Sequence, residues 1–165
     1  MSSVRIIGID PGLRHCGWGV IEAEGSRLRY IASGRISPSP KDELATRLCA
    51  LLDGLERVLN DQKPQEAAVE ETFVNRDPRS ALKLGQARGV CLLAPARYGI
   101  EVAEYAANLI KKSVVGTGHA DKTQVSDMVS RLLPGSRAES ADAADALAIA
   151  LCHSFHRKAR MLTAS

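Results

Sequence analysis

The 165-residue chain is 45% hydrophobic and 25% charged, the make-up of a single soluble globular domain that can bury about two-thirds of its unfolded surface. Aromatic residues contribute only 4%, so the core has to be aliphatic and rich in alanine. No apolar stretch reaches membrane-spanning length, and the four scattered cysteines, Cys16, Cys49, Cys91 and Cys152, form no CxxC pair, which argues against a structural zinc site and a disulfide framework.

The chain enters a strand-like run within a few residues of Met1, which predicts no signal peptide and a reduced, cytoplasmic setting. Residues 4–10 read as a buried strand closed by the turn sequence Asp10-Pro11-Gly12. Residues 17–23 and 27–36 read as two further strands around the short turn Glu24-Gly25-Ser26, giving an antiparallel meander. Residues 41–61 carry Leu44, Leu48, Leu51, Leu52, Leu55, Val58 and Leu59 at helical spacing. Residues 66–71 form a fourth strand, and the apolar run Ala67-Ala68-Val69 predicts a central position in the sheet. A helix over 78–94 starts near Pro78, and a short strand follows over 100–104. Helices over 105–113, 121–133 and 140–156 complete the domain, residues 1–156. The basic tail 157–165 is expected to be disordered. The order β-β-β-α-β-α-β-α-α-α predicts an α/β fold: a five-stranded mixed sheet, three strands in a meander and two parallel, with helices on both faces.

Four carboxylates stand where burial should disfavour them. Asp10 ends the first strand and Glu70 ends the central one. In α/β sheets, sites form beyond strand ends, where two such acids meet if their strands are neighbours. Asp142 and Asp145 are three apart near the start of the last helix and so share a face. The alanines around them let that helix approach the sheet. Singly, Asp10 fits a turn and Asp142 fits a helix N-terminus. As a set they suit divalent ions. All-oxygen donors point to Mg²⁺, with Mn²⁺ as a substitute. Four acids exceed the needs of one hydrated Mg²⁺ and suit two ions per subunit clamping a phosphodiester. The net charge of +3 is a mild pull toward a polyanionic partner.

Longer motifs are carried by the same residues. Gly8-Ile9-Asp10-Pro11-Gly12 with Gly17-Trp18-Gly19, Val69-Glu70-Glu71-Thr72-Phe73, and Ser80-Ala81-Leu82-Lys83-Leu84-Gly85-Gln86-Ala87-Arg88-Gly89 resemble the RuvC family of bacterial Holliday junction resolvases. So do Val114-Val115-Gly116-Thr117-Gly118, Lys122-Thr123-Gln124-Val125, and the run Ala141-Asp142-Ala143-Ala144-Asp145-Ala146-Leu147. The resemblance extends from Val4 to about His156. It implies an RNase H-like fold and a Mg²⁺-dependent endodeoxyribonuclease that makes paired, symmetric nicks in four-way DNA junctions during recombination and repair. It also implies a homodimer that works with the RuvA–RuvB branch-migration complex. Its catalytic and metal-binding acids correspond to Asp10, Glu70, Asp142 and Asp145; motif register favours Glu70 over the adjacent Glu71.

Candidate DNA contacts follow. Phe73 is either core or an aromatic wedge that stacks on unpaired bases, and the resemblance favours the wedge. Arg76, Arg79 and Lys83 form one basic helical face, or simply a solvated one. Lys111 and Lys122 match basic positions near the scissile phosphate. Gly85 and Gly89 permit close helix approach, against the chain's own sheet or across a two-fold axis. His153 and His156, near a helix C-terminus, suit metal ligation or, in preference, favourable dipole contacts, and Trp18 is expected to fill core rather than read DNA. Two other classes are weighed. A phosphotransferase of the actin-like and sugar-kinase superfamily would need two duplicated domains, for which the chain is too short. A non-catalytic junction-binding protein would have a broken acid set, and the set is intact.

Overall fold

The computed structural model describes residues 2–71 and 77–163. Its elements follow the expected order: β1 (Val4–Asp10), β2 (Cys16–Glu24), β3 (Arg27–Ile36), α1 (Leu44–Gln62), β4 (Glu66–Glu71), α2 (Pro78–Arg97), β5 (Glu101–Ala106), α3 (Ala107–Val115), α4 (Lys122–Leu132) and α5 (Ala141–Thr163). The strands form one sheet in the order β3-β2-β1-β4-β5. β1–β2 and β2–β3 are antiparallel, while β1–β4 and β4–β5 are parallel. β1 takes the centre of the sheet rather than β4, which is an interior strand between β1 and β5, and Ala67, Ala68 and Val69 are fully buried.

Strand alternation divides the core between the two faces. Ile6, Ile21, Ala68 and Ala103 face α3, α4 and α5, with Leu147, Ile149 and Leu151 above them. Ile7, Ile9, Val20 and Val69 face α1 and α2, against Leu51, Leu55 and Cys91. Trp18 packs on the second face over Gly34, so it fills core as expected.

At the β5–α3 junction the strand runs to Ala106 rather than residue 104 and the helix covers Ala107–Val115 rather than 105–113, because Tyr105 and Ala106 pair with Glu70 and Glu71. Three further element edges differ from expectation, each for a local reason. α1 starts at Leu44 rather than residue 41, because Ser39 accepts from the backbone N–H groups of both Lys41 and Asp42 and holds a turn there. α2 runs through Pro95 to Arg97, since Pro95 lies in the last turn and its carbonyl still accepts from Tyr98 and Ile100.

The third difference is the tail. Residues 157–163 are not disordered; they continue α5. They are pinned at the end of the sheet opposite Asp10. Arg157 forms a fork on Glu66, at 3.1 and 2.5 Å, and Arg160 lies over the Tyr105 ring and pairs with Glu101. His153 joins the same cluster instead of merely facing the helix dipole. Its Nε2 donates to Glu66 at 2.7 Å, and its Nδ1 is 2.8 Å from the Tyr105 hydroxyl. The hydrogen bond from His153, followed by the Arg157 contacts, draws the Glu66 carboxyl down to about 2 despite the opposing effect of burial. His156 pairs with Ser113 of α3 at 2.8 Å.

Candidate active site

Asp10 and Glu70 reach the same place because β1 and β4 are parallel neighbours in register. Ile9 faces Val69, so the two acids end adjacent strands on the α5 side. Glu71 has the opposite parity. α5 brings Asp142 and Asp145 down onto them, and the sheet has been cleared for it. A Cβ on Gly8 would lie 2.1 Å from the Ala146 carbonyl oxygen, and one on Gly17 would lie 2.0 Å from that of Asp142. Only glycine lets the helix backbone rest on the strands at this distance.

The result is a cavity of about 340 Å³ lined by Asp10, Glu70, Asp142, Asp145, Lys111 and Lys122 over a floor of Ile110, Val125 and Ile149. The acids line it together, but among the described residues no three His, Cys, Asp or Glu side chains are already gathered tightly enough to enclose an ion. Like charges in a partly desolvated pocket repel, which favours the neutral forms. Burial first, and then the charges of Glu70, Asp145 and Asp142, push the Asp10 carboxyl up to about 8. Burial and Asp145 raise Glu70, while the neighbouring Asp10 carboxyl and the charges of Lys111 and Lys122 oppose the rise. Asp145 is raised by burial and by Asp142, against Lys122 and Lys111. Among the described residues, Asp10, Glu70 and Asp145 form no ion pair, and Asp142 has one, to Arg35 at 3.9 Å. Lys111 and Lys122 offset part of this negative charge, and hard oxygen donors in this number fit divalent metal ions.

The expected basic residues divide. Lys111 and Lys122 line the pocket. Arg79 and Lys83 lie exposed on the first turns of α2. Phe73 and Arg76 fall outside the described residues. Two further residues at the site carried no assigned role from sequence. Arg88, inside the α2 signature, donates Nε to the Glu70 carbonyl at 3.3 Å and pairs with Glu104, steadying the end of β4. Arg35 reaches the site from β3 through cross-strand register, which no local pattern reveals.

Comparison with known proteins agrees with this geometry. The family description "Crossover junction endodeoxyribonuclease RuvC" matches residues 6–153. The RuvC of Methylocella silvestris is 64% identical over 164 residues, covering 99% of this chain and 93% of that protein. The structure of Thermus thermophilus RuvC in complex with a Holliday junction substrate superposes with a TM-score of 0.87 at 35% identity, covering 97% of both chains. The yeast mitochondrial Holliday junction resolvase, at 10% identity and a TM-score of 0.66 over 97% of this chain and 86% of its own, shares the fold. The chain belongs to the RuvC family of crossover junction endodeoxyribonucleases.

Proposed function

We propose that the protein is a structure-specific endodeoxyribonuclease that resolves four-way DNA junctions by paired nicks, with Asp10, Glu70, Asp142 and Asp145 as its catalytic acids. The observation that carries this reading is the cavity in which all four acids face two lysines. The family's chemistry is divalent-metal dependent. In this reading the acids hold two Mg²⁺ ions, or Mn²⁺ in their place. Such ions supply an activated water and neutralise the leaving oxygen of the phosphodiester.

The chain's own residues do the rest. Asp10, whose carboxyl burial and its acidic neighbours push up to about 8, must lose its proton before it can act as a ligand, since ligating carboxylates are ionised. Lys111 and Lys122 face the position of the phosphate, where fixed positive charge lowers the energy of the developing negative charge. Arg79 and Lys83 extend phosphate contact along α2, which makes binding fall with rising salt. Phe73 and Arg76 complete the DNA contact set in this proposal.

Two cavities have to face opposite strands of one junction, which calls for a symmetric dimer. The exposed face of α2 supports this. Among the described residues, a Cβ on Gly85 or Gly89 would meet nothing within 4 Å, so these glycines do not serve packing on their own sheet. In the cytoplasm such a dimer would act on junctions driven by the RuvA–RuvB complex. Among the described residues, no helix is long and apolar enough to cross a membrane.

The test is cleavage of a synthetic four-way junction. Paired nicks are expected with Mg²⁺, and none with EDTA or with Asp145→Asn, which still binds the junction. Nicking that survives EDTA overturns the metal mechanism, and equal cutting of linear duplex overturns the junction assignment.

A further inference from the structure

Arg35 sits at the end of β3 beside the acids, with about half of its side chain exposed, and its Nη1 is 3.9 Å from Asp142 Oδ2. Its position follows from register. Arg35 pairs with Gly17, and Gly17 pairs with Asp10, so one row across the sheet reads Arg35, Gly17, Asp10. Residues in one such row point to the same face. Arg35 and Asp10 are therefore two strand spacings apart, about 10 Å. The glycine between them leaves room for Asp142, whose carbonyl lies over it. Lys111 and Lys122 belong to α3 and α4, across the cavity from β3. The acid pocket is thus flanked by cations on both sides.

The contact between Arg35 and Asp142 is single and loose, and both side chains are partly exposed. A pair of that kind contributes little to stability, so it is easily exchanged. Asp142 has a competing demand on it, because the same carboxylate lines the cavity with three other acids. Arginine presents a planar fork that matches phosphate oxygens.

We propose that Arg35 is a DNA-backbone contact on the β3 side of the pocket: parked on Asp142 while the pocket is free of cations, and released to a phosphate of the bound strand when Asp142 turns to a divalent ion. This rests on the nuclease reading of the pocket. DNA then lies between Arg35 on one rim and Lys111 and Lys122 on the other, and the scissile phosphate is positioned from both sides.

The proposal is tested with a fluorescent four-way junction, by anisotropy across a salt series, in Ca²⁺ and in EDTA. Ca²⁺ is a hard cation that takes oxygen ligands in flexible geometry. In Ca²⁺, Arg35→Ala is expected to weaken binding several-fold and to reduce the slope of log K against log salt by about 0.9, the value for one lost phosphate contact. Arg35→Lys keeps the slope. In EDTA the loss from Arg35→Ala shrinks, because Arg35 is then engaged with Asp142. Arg29→Ala, on the same strand but paired with Glu22, changes neither affinity nor slope. An unchanged slope for Arg35→Ala in Ca²⁺ overturns the phosphate contact. An equal loss in Ca²⁺ and EDTA overturns the parking on Asp142. Wild-type protein that fails to nick the junction in Mg²⁺ overturns the underlying nuclease reading instead, whatever Arg35 does.

Discussion

At the scale of single residues, the electrostatics of Asp10 sets a conflict between stability and function. Its carboxyl titrates at about 8 in the folded protein, chiefly through burial, against 3.8 for the ordinary side chain. Between about pH 4 and pH 8 the folded state therefore keeps a proton that the unfolded state has released, so metal-free stability falls as pH rises through that window. Asp10→Asn removes the titration. In EDTA the variant should melt with the wild type near pH 4 and be more stable above pH 8, by about 1–2 kcal/mol. Calorimetry at a series of pH values checks this, and parallel curves would overturn it. The same substitution abolishes nicking in Mg²⁺. The four acids were legible because each needs only local information: a strand end, or three-residue spacing on a helix. Glu70 was chosen over Glu71 by motif register, and strand parity agrees with that choice. Arg35 was not legible, because its place depends on pairing across three strands. Nor was the joining of Glu66 to His153, which lie 87 residues apart.

At the scale of elements, the decisive contact is α5 lying directly on β1 and β2. Gly8, Gly17 and Gly19 leave no side chain between helix and sheet, and each would place a Cβ within 3 Å of α5 atoms. Gly17→Ala is the informative change, since its Cβ would strike the Asp142 carbonyl at 2.0 Å. Backbone has to move, at a cost of about 1–3 kcal/mol. The acid-bearing turn moves with it, and a displacement of about 1 Å in a catalytic group can cost about 100-fold in rate. The variant is expected to remain folded by circular dichroism while its nicking rate falls far more than its melting temperature suggests. Gly54→Ala, whose nearest contacts are the side-chain carbons of Ile36 on the other face, should leave the nicking rate unchanged; equal losses in both variants would sink the argument. Alternation and helical spacing made the order of elements legible. The ends were less so, because turn contacts at Ser39 and tertiary contacts along Arg157 and Arg160 decide where α1 begins and where α5 stops. The glycine seat was visible only as a motif: a glycine in a strand signals close approach of something, but not which helix.

At the scale of the whole molecule, α2 presents a surface that the monomer leaves unused. Leu82 and Leu93 are 65% and 50% exposed, and Gly85 and Gly89 lie between them with open space where a Cβ would be. Two glycines inside a helix sacrifice about 1 kcal/mol each relative to alanine, with no contact among the described residues to explain them. A second copy of the same helix, packed about a two-fold axis, would bury the leucines and use the glycines for close approach, each copy meeting the same patch on the other. Gly89→Leu separates the two accounts of this face. If the face is solvent-exposed, a leucine there improves helix propensity and leaves the oligomeric state alone. If it is the dimer contact, the added side chain blocks helix approach. The wild type is then expected to sediment as a dimer at micromolar concentration and Gly89→Leu as a folded monomer. The monomer would also lose the pairing of its nicks, cutting junction strands singly, since coordinated cleavage requires two acid pockets held at a fixed separation. A wild type that sediments as a monomer would remove the dimer from the proposal while leaving the chemistry of each pocket intact.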